Sequence, residues 1–459
     1  MVQQPSEASP KSAKTARVIV IGGGIAGVSA VESLRTAAPR TEVVLISQEK
    51  EHPYYRLNLT RYLAGEIPRE DLLIHPATWY QEHDIELLLG SEVLALHPEE
   101  RAVELRDGKR LPFDKLLLAA GAYPFVPPIP GSDRDGVACL RTIDDADYLL
   151  ESCQAGARCV CIGGGLLGLE TAGAMARRGA DVTLLENQGW LLRRQLSERA
   201  GEILGDYVGR LGIKLLKNAV SSEIFGKERV QGVLLEDGSR IPADLVLIAT
   251  GIRANSSLAR RAGLNVDRAV VVDNRLRSSH PDILAAGDVA EHAGVVYGLW
   301  TVSQTQGTVA GMNLAGASAE FGGLPRSTTL KVLGFDVFSV GQIVPEDDRC
   351  QVIEEEVNDR YVRFVLREGR LVGAILLGDV ELMAPAKKAV EDKRDLSSLM
   401  RGRPTAQAVV DLLQQEQPRR SQPQRTRRPA VLDYISSFAK PMANDVMGRF
   451  RCPVCGYVY

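Results

Sequence analysis

The chain has 459 residues, 45% apolar and 25% charged, with a formal net charge of −3. That length exceeds one ordinary core and predicts several domains. The near-neutral balance excludes a global field drawing the protein to nucleic acid or a membrane surface, and no apolar run reaches the roughly 18 residues of a spanning helix. Residues 1–16 are rich in Ser, Ala, Lys and Gln and lack the apolar stretch of a secretory signal. They predict a disordered tail and lead to the expectation of a cytoplasmic protein with reduced thiols.

One pattern occurs twice. Residues 17–21 predict a buried parallel strand, followed by Gly22, Gly23, Gly24, Ile25, Ala26, Gly27 and a helix to about Arg35. Residues 158–162 repeat the strand, followed by Gly163, Gly164, Gly165, Leu166, Leu167, Gly168 and a helix to about Arg178. In such a strand–turn–helix, the first glycine makes the tight turn and the second lets a pyrophosphate approach the backbone. The third lets the helix pack on the strand. The pyrophosphate then lies on the free N–H groups of the helix N-terminus. Gly22, Gly24 and Gly27, and Gly163, Gly165 and Gly168, are therefore dinucleotide-binding candidates. An acid after the second strand of each unit holds a ribose hydroxyl. Glu186 stands at the expected distance and favours NADH over NADPH, although Arg193 and Arg194 follow closely. In the first unit the acid is Glu49, slightly late; a solvated loop carboxylate is the alternative. Cys159 and Cys161 alternate in an apolar strand and predict buried structural thiols.

Three further strands end in small residues. Leu116–Gly121, with Ala120 and Gly121 at its end, and Leu245–Gly251 predict matched crossings between two domains. Asp282–Asp288 ends in Gly287 and Asp288, an acid at the carboxyl end of a parallel strand that points into a cofactor crevice. Further on, residues 361–377 alternate around Glu368 and Gly369 and predict a hairpin. After Gly402 the composition changes. Residues 414–429 are rich in Gln, Arg and Pro and predict an exposed, locally basic linker. The chain ends Phe450, Arg451, Cys452, Pro453, Val454, Cys455, Gly456, Tyr457, Val458, Tyr459, a metal-knuckle pattern in which Cys452 and Cys455 are candidate thiolate ligands.

In this order, the motifs resemble the pyridine-nucleotide-dependent flavoprotein family over about residues 17–320. The resemblance implies FAD on the first unit, NADH on an inserted second unit, and Asp288 on the ribityl chain. The disulfide-reductase branch carries a pair of cysteines after the first unit, and the peroxidase branch carries one. The segment Pro53–Gly65 has none, so electrons are expected to leave the flavin directly. That segment is similar to the Y-x-R-P-x-L stretch of ferredoxin, rubredoxin and nitrite reductase flavoproteins. The likeness implies that Arg56 lies against FAD and that Arg61 and Glu170 pair near the flavin and nicotinamide. A plain surface ion pair is the alternative. Residues 298–307, with Trp300, resemble the stretch beneath the flavin ring, and Thr329–Gly341 resembles the opening of the C-terminal domain of rubredoxin and nitrite reductase flavoproteins. The final decapeptide resembles the first knuckle of rubredoxin. Two thiolates do not complete a tetrahedral site, so iron is expected only if the site is completed, and the sequence is read as stopping inside a fused rubredoxin domain. A zinc-ribbon half is the alternative.

The expected fold is α/β: two Rossmann-like nucleotide-binding domains, the NAD domain inserted in the FAD domain, plus a small α+β C-terminal domain. The boundaries are a tail at 1–16, FAD-binding parts at 17–124 and 247–325, and an NAD-binding domain at 125–246. The C-terminal domain spans 326–402, a linker 403–446 and the incomplete knuckle 447–459. The expected function is NADH-dependent reduction of FAD and electron transfer to rubredoxin or a similar small iron–sulfur carrier, without nucleic acid or membrane. A nitrite- or ferredoxin-type reductase component, and a non-catalytic NADH-responsive interaction protein, are the alternatives.

Overall fold

The computed structural model describes residues 16–415, apart from 326, 333, 358, 359, 380, 400, 401 and 403. The expected tail up to residue 15, most of the linker, and the knuckle with Cys452 and Cys455 lie outside the described residues. Two compact units are present, one ending at Arg326 with Lys331–Gly334 added, the other holding Ser327–Leu330 and the chain from Phe335.

The first unit contains two parallel five-stranded sheets. In the first, Arg17–Ile21 is central. It pairs with Glu42–Ile46 on one side and Lys115–Leu118 on the other, and Ile85–Leu88 and Ile283–Ala285 form the edges. Val18, Ile19 and Val20 are fully buried because helices or sheet cover both faces, which is why the strand reads as an unbroken apolar run. The second sheet repeats the plan around Arg158–Ile162, flanked by Asp181–Glu186 and Leu245–Ile248, with Lys214–Lys217 and Val137–Ala138 outermost. Cys159 and Cys161 are buried in its central strand, as their alternation predicts.

The chain leaves the first sheet after Leu118 and returns to it at Ile283. The two crossings, Ala122–Pro124 and Ile252–Ala254, pair antiparallel as a short ribbon. This is the topology of one nucleotide-binding fold inserted in another. The strand Leu245–Ile248 pairs along its whole length with residues 159–162. The return therefore begins at the ribbon and not at residue 247, a correction that the ladder hydrogen bonds impose.

The helices Ile25–Ala37 and Trp300–Leu314 cross in close contact because small residues face each other. A Cβ on Gly307 would lie 2.3 Å from the Ala26 carbonyl oxygen, and one on Gly311 would lie 2.2 Å from that of Ala30. Backbone thus packs on backbone, leaving no room for a methyl group.

The second unit has a five-stranded sheet in the order Ser327–Val332, Phe335–Gly341, Arg370–Leu377, Arg360–Arg367, Cys350–Val357. The predicted hairpin is present: Arg360–Arg367 and Arg370–Leu377 pair antiparallel, and Glu368 and Gly369 both have positive φ, the turn that matches strand twist. The reading of a linker from residue 403 is corrected at its start. Ala406–Gln415 is a helix whose Ala406, Val409, Val410 and Leu413 are buried. That i, i+3, i+4, i+7 stripe joins the core with Phe364, Leu376 and Ala386. No described helix is long and apolar enough to cross a membrane.

Gly307→Ala should force the two helices apart and destabilise the first unit by about 1–3 kcal/mol. Thermal unfolding should show a Tm several degrees lower, and an unchanged Tm would contradict the packing described.

Candidate functional site

Both glycine turns adopt the same backbone. Gly22 has φ +120° and Gly163 +113°, values that L side chains rarely adopt. A Cβ on Gly27 would stand 2.0 Å from the Gly22 carbonyl oxygen, and one on Gly168 the same distance from that of Gly163. Each turn is thus closed by the helix that follows it. Gly24 and Gly165 are the N-caps of those helices, at φ −78° ψ 179° and φ −77° ψ 179°. Neither has a side-chain cap, and neither first turn holds an acid. A Cβ on either would meet nothing within 4 Å. Each helix N-terminus thus offers uncapped N–H groups beside open space, the features that a pyrophosphate requires.

The two cradles differ at the acid. In the second sheet Ile162 pairs with Leu185, so Glu186 ends its strand one step later. Its buried carboxylate accepts from the Gly164 N–H at 2.9 Å and the Gln188 N–H at 2.8 Å. In the first sheet Ile21 pairs with Ile46, and the matching position is Ser47, whose Oγ lies 3.0 Å from a Cβ built on Gly23. Glu49 stands two residues further on and is otherwise engaged. One oxygen accepts from Arg56 Nη2 at 2.6 Å and the other from the Tyr54 hydroxyl at 2.6 Å.

Arg56 ties this group across the cradle. Its Nη1 donates to the Tyr54 hydroxyl at 3.0 Å and to the Arg141 carbonyl oxygen. The Arg141 guanidinium faces Asp288 at 3.3 Å and lies against Gly121, which has φ +65°. Burial pushes Arg141 below the usual guanidinium range, with Arg56 beside it acting the same way. Asp288 follows Gly287 in a single helical turn and accepts from the Ser303 hydroxyl at 3.3 Å. The Gly287 N–H donates to Gln306 Oε1 at 2.8 Å, while Gln306 Nε2 is buried with no hydrogen-bond partner. Trp300 opens the same helix, its ring 5.8 Å from that of Tyr55. Gly22, Gly24, Gly27, Glu49, Arg56, Gly121, Gly287, Asp288 and Trp300 thus lie in one first unit, with Arg56 and Arg141 linking Glu49 to Asp288. Ala120 precedes Gly121 at the end of its strand, and Gly251 opens the return ribbon.

Arg61 and Glu170 do not meet. Arg61 Nε pairs with Glu66 at 3.1 Å, whereas Glu170 accepts from the Thr60 hydroxyl at 3.0 Å. Adjacent residues on a helical turn point about 100° apart, so the short helix Leu59–Leu63 presents Thr60, not Arg61, to Glu170. Burial, with Glu66 adding repulsion, raises the Glu170 carboxyl to about 7, although the Thr60 hydrogen bond pulls it down.

Tyr54, Arg141, Ser303, Gln306, Thr60 and Glu66 were not singled out in the sequence. Tyr54 sits in the same motif as Arg56 and could have been found there. Arg141 carries no local signal, because its role depends on a partner, Asp288, 147 residues further along the chain.

Residues 16–307 match the family described as pyridine nucleotide-disulphide oxidoreductase. The chain belongs to this family. Residues 327–394 match the rubredoxin NAD+ reductase C-terminal domain. The chain is 35% identical over 367 residues to the nitrite reductase [NAD(P)H] of Bacillus subtilis, covering 79% of this chain and 46% of that protein. It is 28% identical over 386 residues to the NADH-rubredoxin oxidoreductase of Clostridium acetobutylicum, covering 84% and 97%. The crystal structure of the latter superimposes with a TM-score of 0.74 over 87% of this chain and all of that one. A putidaredoxin reductase–putidaredoxin complex gives 0.77 at 26% identity, covering 82% and 93%. The chain spans about half the length of the first curated relatives it matches. The two cradles, with their open glycine caps and the unpartnered Gln306 Nε2 beside the first, fit FAD on the first turn and NADH on the second.

Two outcomes follow. Glu186→Ala should raise the KM for NADH about tenfold, about 1.4 kcal/mol, and narrow the preference over NADPH, as steady-state assays with both nucleotides would show. Glu170, with a folded pKa above its unfolded value near 4.5, contributes most stability below pH 4.5 and loses it as pH rises through about 7. The Tm of Glu170→Gln relative to wild type should therefore climb between pH 4.5 and 7 and then level. A pH-independent difference would refute the shift.

Proposed function

We propose that this chain is an NADH-dependent flavoprotein reductase that passes electrons singly to rubredoxin or a similar small iron protein. The observation that carries the reading is the pairing of two dinucleotide cradles in one unit with no thiol in the helix Ile25–Ala37 or in Pro53–Gly65. Without a cysteine relay, electrons accepted at the first cradle have a direct exit as their route. The C-terminal match to rubredoxin NAD+ reductase and the near-complete coverage of the clostridial enzyme support rubredoxin as the acceptor. Cys452 and Cys455 agree with a fused carrier, with iron held once two further ligands complete the site.

Bound FAD would supply hydride acceptance and one-electron release; the protein supplies orientation and electrostatics. Glu186 would hold the adenosine ribose of NADH, and Gly163–Gly168 its pyrophosphate. Asp288, fixed by Ser303 and Arg141, would hold the ribityl hydroxyls. Arg56, locked by Glu49 and the Arg141 carbonyl, would fix the wall of the first cradle against which the flavin is held.

A second reading is the donor flavoprotein of a nitrite-type reductase, favoured by the higher identity to the Bacillus protein. The two are separated by reducing the flavoprotein anaerobically with NADH and then adding intact rubredoxin or a plant-type ferredoxin. Reoxidation should be at least tenfold faster with rubredoxin. Equal or reversed rates would favour the nitrite or ferredoxin reading, and absence of bleaching by NADH would remove both.

A further inference from the structure

The arginine expected beside Glu170 is held by another carboxylate. Glu66 lies just past the short helix Leu59–Leu63, and its N–H donates to the Arg61 carbonyl at 2.9 Å. Its side chain reaches back in two directions. One oxygen pairs with Arg61 Nε at 3.1 Å, and the other pairs with Arg177. Arg177 ends the helix Leu166–Arg177, the helix that carries Glu170. Glu66 therefore bridges the two elements that also meet through Thr60 and Glu170.

Around Glu170, the short helix presents the Thr60 hydroxyl as donor and Arg61, already paired. The segment beyond it presents Glu66. The helix of Glu170 itself presents Arg177, also paired with Glu66, and Arg178, which donates to the Leu63 carbonyl. On the side of Ile143–Ser152, Asp147 is engaged by the Tyr62 hydroxyl at 2.7 Å and by Arg69 at 3.4 Å. Among the described residues, Arg61, Arg177, Arg178 and Arg69 each bond to a group other than Glu170. Glu66 thus holds both Arg61 and Arg177, while Glu170, beside it, has a hydroxyl as its partner.

We propose that Glu66 is a positioning residue: by holding Arg61 it denies Glu170 a cation partner and makes Glu170 the proton-holding carboxyl of the second cradle. Loss of the Glu66 charge acts on Glu170 in one direction only. It frees Arg61 to turn toward Glu170 and removes a neighbouring negative charge. Both favour the ionised carboxylate, which is consistent with the raised pKa of Glu170 in the intact arrangement.

The test uses the FAD-loaded protein and a double-mutant cycle: wild type, Glu66→Gln, Arg61→Gln and the double variant, each with and without Glu170→Gln. The pH at which the Tm gap between a background and its Glu170→Gln counterpart levels off reports the ionisation of Glu170. It should lie near 7 in wild type and at least one unit lower in Glu66→Gln, and the double variant should recover more than half of that drop. An unchanged value in Glu66→Gln would overturn the proposal. Equal drops in Glu66→Gln and the double variant would do the same, since Glu66 would then act only as a nearby charge. A second arm, which rests on the NADH-reductase reading, follows flavin bleaching by NADH against pH and should show the same order of midpoints. Absence of bleaching in every variant, with the Tm pattern intact, would count against that reading and support the placement of Arg61.

Discussion

The constraint on which the first unit depends is the approach of backbone to backbone at the end of a central parallel strand. At Gly22 and Gly27, and again at Gly163 and Gly168, the turn folds back onto its own helix so closely that a Cβ would sit 2.0 Å from a carbonyl oxygen. That approach aims the helix N-terminus at the end of the strand. Because the cap is glycine, no side chain satisfies the first N–H groups. An anion therefore finds donors and a favourable dipole already in place. The Gly307 and Gly311 contacts extend the same economy of side chains to the back of the first helix, fixing the height of the cradle against Asp288.

Duplication of this frame makes the differences between its copies informative. In the second copy Glu186 is drawn into the turn by the Gly164 and Gln188 amides, charge-assisted hydrogen bonds that fix its carboxylate at the end of the strand. In the first copy a serine takes that place, and the acid is displaced to Glu49. Glu49 is used structurally, neutralising Arg56 within a chain of contacts from Tyr54 through Arg141 to Asp288. Half-buried charges persist in such a chain only if each is paired, and here each is. The first cradle is therefore walled by a charge network and the second by a single carboxylate, which suits a tightly held group in one and an exchanging one in the other.

Much of this was legible in the sequence because the signals are local. The two turns, the apolar central strands, Glu186 and the Gly287–Asp288 end each occupy a few consecutive residues whose types the backbone dictates. The insertion was legible as well, since both crossings end in small residues and glycine. What failed was non-local or stereochemical. Arg61 and Glu170 were paired by resemblance, yet the direction of a side chain on a one-turn helix is decided by which neighbour has the better partner, and Glu66 is closer. Arg141 and Gln306 act through contacts made only after the chain has crossed between domains. The helix Ala406–Gln415 was hidden by the Gln- and Arg-rich composition around it, although its four buried apolar residues keep helical spacing.

That neither Ile25–Ala37 nor Pro53–Gly65 carries a thiol has a physical corollary. A disulfide relay takes up an electron pair by breaking its S–S bond, holds the pair on two thiols, and releases it as a pair when the bond re-forms. On the proposed reading, a pair received without such a relay is divided at the first cradle, and the surroundings then meet a changing charge there. Rigid, fully paired groups such as Arg56–Glu49 and Arg141–Asp288 respond little to such a change. A carboxyl that ionises near neutrality can respond by exchanging a proton. Glu170, bonded to the uncharged Thr60 hydroxyl while Glu66 holds Arg61, is such a carboxyl on the helix that follows the second cradle.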